Sequence, residues 1–167
     1  TGDGRGIVVS DSVDLWLTDV EIHDPIVGPA ISVDNSGLDL GVQGGSFHFI
    51  QTEIWTNHST EYAINITSAE GEIDGLDIHG SHQGIYWDAN HNVERTSILS
   101  NARLSGTDCL KLLNHDQMTG MGSTITTACT GDIEFTDSEV NWSNLEDQTN
   151  HVLNLDADTH LHLHQPI

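Results

Sequence analysis

Basic residues are what this chain has least of: Arg5, Arg95, Arg103 and Lys111 stand against 26 acids, a net charge of -22 over 167 residues. A surface that binds phosphate needs clustered Lys and Arg, so nucleic acid is excluded as a partner. Aromatics make up only 5% of the chain, and no apolar run approaches the roughly 18 residues of a membrane span. Sustained 3.6-residue periodicity is also missing, so helix content is expected to be small. No signal peptide is visible, and because the first residue is Thr1 rather than Met, the expectation is a mature, truncated or fragmentary chain.

What the chain has instead is acid and a regular pattern. A folded domain with this much like charge repels itself, and proteins of salt-loving organisms tolerate such an imbalance. At molar salt the Debye length falls to about 3 Å, which removes most of the repulsion. The expectation is a protein built for high salt. Disorder would require few bulky apolar residues as well as charge, yet the hydrophobic fraction is 36% and its members recur in regular triplets. The length suits one domain, residues 1–167.

A short strand of the form apolar-x-apolar recurs six times, as Ile7-Val8-Val9, Ile31-Ser32-Val33, Ile64-Asn65-Ile66, Ile85-Tyr86-Trp87, Leu110-Lys111-Leu112 and Leu153-Asn154-Leu155. Most copies run into turn formers such as Asp34-Asn35-Ser36 or Asp88-Ala89-Asn90, whose side chains bond to backbone. A second element follows, as Leu17-Thr18-Asp19-Val20-Glu21-Ile22, Ile73-Asp74-Gly75-Leu76-Asp77-Ile78 and, more loosely, Phe135-Thr136-Asp137-Ser138-Glu139-Val140. It reads as two short strands joined at a tight bend, with weaker copies near Leu40 and Ile98. Three strands per 22 to 32 residues make one rung of a coil. The longer intervals, Gln51 to Tyr62, His115 to Thr130 and Asn144 to Asn150, read as insertions.

Rungs of this kind resemble the right-handed parallel β-helix of the pectate-lyase-like superfold, and the resemblance spans nearly the whole chain. The fold expected is therefore all-β, a single-stranded parallel β-helix of about six rungs, with an antiparallel β-sandwich as the alternative. Neither Thr1 to Gly6 nor His160 to Ile167 looks like a capping helix. The domain is accordingly expected to belong to a larger chain or a homo-oligomer such as a trimer.

Stacked rungs place the middle residues of the first strands in one outer row: Val8, Ser32, Asn65, Tyr86, Lys111 and Asn154. The resemblance implies a sugar substrate on an outer sheet, which makes Asn65, Tyr86 and Lys111 the candidate glycan site, suited to an acidic sugar. Stacking also puts Asp39 beside Glu72, and Glu21, Asp77, Arg103 and Glu139 in a further outer row. Strands about 4.8 Å apart come near the roughly 5 to 5.5 Å carboxyl separation of a retaining glycosidase. For a polysaccharide lyase or glycoside hydrolase of this superfold, Lys111 and Arg103 are the candidate bases and Asp77 and Glu72 the candidate acids. The enzyme pattern is incomplete, because lyases of this type pair an Arg or Lys base with acidic calcium ligands and polygalacturonase-like enzymes carry paired aspartates and Gly-His-Gly. This chain has His79-Gly80-Ser81-His82 and no adjacent aspartates. Thr1-Gly2-Asp3-Gly4 is similar to the entry segment of such proteins, but Arg5-Gly6-Ile7 replaces its acidic continuation.

Strict alternation in His160-Leu161-His162-Leu163-His164 puts all three imidazoles on one strand face. Imidazole is the commonest ligand of zinc, copper, iron and nickel, so a transition metal is a candidate cofactor there. The motif is similar to the His-x-His iron site near the tip of trimeric phage tail spikes. Calcium or bound salt cations between acidic corners are a second candidate, although no calcium-loop motif is present. Cys109 and Cys129, oxidised, would close a loop of roughly twenty residues, a bridge contributing about 3 kcal/mol. Asn57, Asn65 and Asn141 head Asn-x-Ser/Thr sequons, candidate glycosylation sites. Together these features predict a non-enzymatic structural or adhesive module on a cell or virion surface, contacting surface polysaccharide or glycoprotein.

Overall fold

A computed structural model describes residues 6–11, 14–23, 28–37, 45–57, 60–80, 82–90, 96–148 and 150–164. Every regular element among them is a strand, and no helix is long and apolar enough to cross a membrane. The chain winds as a solenoid. Its first two coils each consist of a short strand and a long one: β1 (Ile7–Ser10) with β2 (Asp14–His23), then β3 (Ile31–Asp34) with β4 (Ser46–Trp55). Four three-strand coils follow. They are β5 (Tyr62–Thr67), β6 (Glu70–Asp74) and β7 (Asp77–His79); β8 (Gln83–Asp88), β9 (Ser97–Ser100) and β10 (Arg103–Gly106); β11 (Leu110–Leu113), β12 (Met118–Met121) and β13 (Thr124–Cys129); and β14 (Ile133–Thr136), β15 (Glu139–Ser143) and β16 (Glu146–Asp147). A last coil holds β17 (Leu153–Leu155) and β18 (His160–His164).

All strands pair in parallel with the equivalent strand of the next coil. The first face is a seven-stranded sheet in the order β1-β3-β5-β8-β11-β14-β17. The other two faces form one eleven-stranded sheet, because β4 runs through the bend and pairs with β6 on one side and β7 on the other. The parallel β-helix is therefore the fold, and the sandwich alternative falls because every strand pair among the described residues is parallel.

The bend between the second and third faces has a simple cause. At this bend one residue in each of the first six coils sits in the left-handed region: Asp19, Gln51, Gly75, Asn101, Gly122 and Asn144, with φ between 51° and 71°. Asp, Asn and Gly occupy this region at low cost. The first corner is held by turns of the type the sequence suggests: Asp34 accepts a hydrogen bond from the Ser36 amide at 3.0 Å and Asp88 one from the Asn90 amide at 2.9 Å. The Ser36 contacts also hold the Asp34 carboxyl below its ordinary pKa.

The core is one stack of inward rows. Ile7, Ile31, Ile64, Ile85, Leu110, Ile133 and Leu153 make one row of the first face. Val9, Val33, Ile66, Trp87, Leu112, Phe135 and Leu155 make the next. On the second face, glycine on one coil makes room for a ring on its neighbour, Gly71 beside Phe47 and Gly120 beside Trp142. A Cβ on Gly71 would lie 2.1 Å from the Phe47 carbonyl oxygen, and one on Gly120 would lie 2.2 Å from the Trp142 ring.

Several sequence expectations are corrected here. The solenoid has about six turns, as expected, but its first face carries a seventh strand, because Ile133-Glu134-Phe135, absent from the six recurring triplets, is also a first strand. Asp137, with φ of 46°, is thus the first corner rather than the second, and Glu139 falls on the second face opposite His160. The acidic row on the third face runs Glu21, Glu53, Asp77, Arg103, Thr124 and Glu146 instead. Two of the supposed insertions are ordinary coil: Gln51 to Trp55 completes β4, and His115 to Thr130 contains β12 and β13. Asp39 and the weak repeat near Leu40 lie outside the described residues, as do the entry segment Thr1 to Arg5 and Arg95.

Candidate functional site

The outer row of the first face is where polar chemistry gathers. Parallel register sets Asn65 beside Tyr86, Tyr86 beside Lys111, and Lys111 beside Glu134. Tyr62, at the start of β5, brings its ring to 5.4 Å from that of Tyr86, the planes tilted by 55°. Two open clefts meet at Tyr62. One, of about 260 Å³, is lined by Tyr62, Asp108, Leu110, Lys111, Asp132 and Glu134. The other, of about 360 Å³, is lined by Pro29, Glu61, Tyr62, Asn65 and Tyr86.

The charge state of this face follows from its contacts. Lys111 Nζ donates to Glu134 Oε2 at 2.6 Å, and that hydrogen bond raises the lysine pKa. Burial raises the Tyr62 phenol, with Asp108 adding to it, and burial with Asp88 does the same for Tyr86. Lys111 is therefore a fixed ammonium and both phenols are neutral donors. Three carboxylates, Asp108, Asp132 and Glu134, outnumber the single cation of this cleft, so its lining is net acidic.

The four candidate catalytic residues do not converge. Lys111 is on the first face and Glu72 on the second, where the Glu72 carboxylate lies 3.3 Å from His48 Nδ1. Asp77 and Arg103 are on the third, paired with each other through Arg103 Nε at 3.3 Å. Arg103 and Asp77 are strand neighbours, as expected, but they form an ion pair on a solvated face.

Two residues of the site were not read from the sequence. Tyr62 was hidden in a presumed insertion, although Tyr62-Ala63-Ile64 shows strand composition. Glu134 was hidden by the misplaced coil, although Ile133-Glu134-Phe135 has the same form as the six recognised triplets.

The other candidates take separate places. His160, His162 and His164 line the outer face of β18, opposite Glu139, Asn141 and Ser143. Among the described residues no three His, Cys, Asp or Glu side chains gather as a metal site. Cys109 and Cys129 are joined in a disulfide, Cα atoms 5.6 Å apart. Of the sequon residues, Asn57 is exposed, while Asn65 and Asn141 are half-buried on outer faces.

Fold and face together define the class: a parallel β-helix with an aromatic and acidic cleft on its first sheet. No family model matches the chain, and neither the curated proteins nor the solved structures give a match.

Proposed function

We propose that the chain is a structural and adhesive β-helix module of a cell or virion surface in a high-salt environment, and that its first face binds surface glycans. The observation that carries this reading is the pair of clefts joined at Tyr62, with Tyr62, Tyr86 and Asn65 lining one and Lys111 with three carboxylates lining the other. Aromatic rings offer an apolar surface to the C–H face of a sugar, while Asn65, the phenols and the carboxylates offer hydrogen-bond partners to its hydroxyls. Because Lys111 is neutralised by Glu134, the ligand class is a neutral or amino sugar.

The rival reading is a lyase or hydrolase. A lyase base must be unprotonated, and the Glu134 hydrogen bond that raises the Lys111 pKa works against that role. The test is retention of the protein on halophile cell-surface polysaccharide in molar salt, with mass spectrometry of anything released. Tyr86→Ala is expected to weaken retention about tenfold, the equivalent of about 1.4 kcal/mol. Retention unchanged by Tyr86→Ala and Tyr62→Ala removes the site. Shortened or unsaturated products lost in Lys111→Ala would transfer the case to the enzyme reading.

A further inference from the structure

The glycan face leaves one feature of the sequence unused, the run His160-Leu161-His162-Leu163-His164. Its strand, β18, lies at the edge of the eleven-stranded sheet, as β17 lies at the edge of the first. Among the described residues neither has a partner on its outward side. The inward rows arrive at this coil as Leu153, Leu155, Leu161 and Leu163, and Leu155 and Leu163 are each 47% exposed. The same four rows begin at the opposite end with Ile7, Val9, Leu15 and Leu17, which are only half-buried. A coil placed against β17 and β18 would meet like with like if it carried the pattern of the first coil.

The outer rows match as well, and chemistry within the chain shows how. Trp16 stacks on His48 of the next coil, rings 3.9 Å apart and 13° from parallel. The Trp16 indole N–H donates to Asp14 at 2.9 Å, and His48 Nε2 lies 3.9 Å from the same carboxylate. One ring face of Trp16 is thus taken by an imidazole, yet the side chain is still 60% exposed. The row of Trp16 ends, six coils on, in His162, and the row of Asp14 ends in His160.

We propose that a second copy of this chain stacks head to tail on the last coil, with its β1 along β17 and its β2 along β18. Four apolar rows then continue across the junction. His162 packs on the open face of the second copy's Trp16, repeating the Trp16 and His48 stack, and His160 meets its Asp14. Charge favours this pairing over others, because two chains of net charge -22 repel wherever acid meets acid, and β18 presents three imidazoles with no carboxylate. The two surfaces differ, so the contact is heterologous and does not close, and the product is an open filament.

The test is sedimentation velocity and negative-stain electron microscopy of the intact chain in molar salt. The expected result is a series of rods whose length grows with protein concentration. His162→Glu alters an exposed outer position and Trp16→Ala the opposite end, and each is expected to lower association at least tenfold with an unchanged circular dichroism spectrum. A mixture of the two variants retains one intact junction, the Trp16→Ala tail on the His162→Glu head, and is expected to stop at dimers. A monomer at every concentration overturns the proposal, as it would if further polypeptide covered the last coil. A closed oligomer of fixed mass, or rods that both variants form as well as the parent, overturns it too.

Discussion

His151 sits between two oxygen acceptors: Nδ1 is 2.9 Å from an Asp147 carboxylate oxygen and Nε2 is 2.8 Å from the Cys129 carbonyl. Only the imidazolium can donate to both, and the Asp147 hydrogen bond raises its pKa above the ordinary 6.5. The folded state therefore binds this proton more tightly than the unfolded chain. His151 contributes its full stabilisation below about pH 6.5 and loses it as pH rises through the raised folded value. His82 works in the other direction. It is buried, its Nδ1–H donates to the Gln83 carbonyl at 2.9 Å, and desolvation lowers its pKa from 6.5. Its contribution is present above pH 6.5 and is lost as pH falls through the lowered folded value. An NMR titration of the histidine ring protons should show His151 with a midpoint above the ordinary histidine value and His82 with one below it. In Asp147→Asn the His151 midpoint should drop while that of His82 stays. A His151 midpoint indifferent to this substitution would remove the ion pair, and with it the clip that ties the β16 turn to the disulfide at Cys129.

At the scale of the strand, the solenoid depends on matching volume between coils. Trp142 on β15 is fully buried because β12 offers Gly120 at the same register. Gly120→Ala places a methyl 2.2 Å from the indole ring of a fully buried residue. Overpacking of this kind costs about 1–3 kcal/mol. Chemical denaturation should report that loss, and near-ultraviolet circular dichroism should report a changed Trp142 environment. Equal stability would mean that β12 and β15 can separate freely. The same packing explains how far the fold was legible. Where both inward positions of a triplet are Ile, Leu or Val, as in Ile31-Ser32-Val33, the strand, its register and its outward residue can all be read from the sequence. On the other two faces buried positions are filled by Ser97, Ser105, Ser123, Thr126 and Gly120, which carry no apolar signal. That is why β12 and β13 looked like an insertion. The candidate site was half legible for a related reason. Tyr86, Lys111 and Asn65 followed from the triplets, whereas Glu134, which pairs with Lys111, needed the coil count to be right.

Taken as a whole molecule, the helix stacks its acids as faithfully as its core. Glu21, Glu53 and Asp77 succeed one another along the third face before Arg103 interrupts the row. Carboxylates on adjacent strands about 4.8 Å apart repel by about 0.9 kcal/mol even at the dielectric of water. Partial relief comes from His79, whose Nε2 lies 3.2 Å from Glu53 and 3.6 Å from Asp77, and from Arg103 beside Asp77. Four basic side chains cannot offset 26 acids, so most of the relief must come from dissolved ions. Folding brings these charges closer than they are in the unfolded chain, so screening stabilises the folded state selectively. Molar salt, with a Debye length of about 3 Å, shields even neighbouring strands. Since 1 kcal/mol moves the melting temperature of a domain this size by about 2–4 °C, relief of only two or three such pairs should raise it by about 4–11 °C. Melts followed by circular dichroism at low and at molar sodium chloride measure this directly. The same rise in potassium chloride would assign it to screening, whereas equal melts at both salt levels would mean that the acidic rows are already compensated within the fold and that high salt is not its required environment.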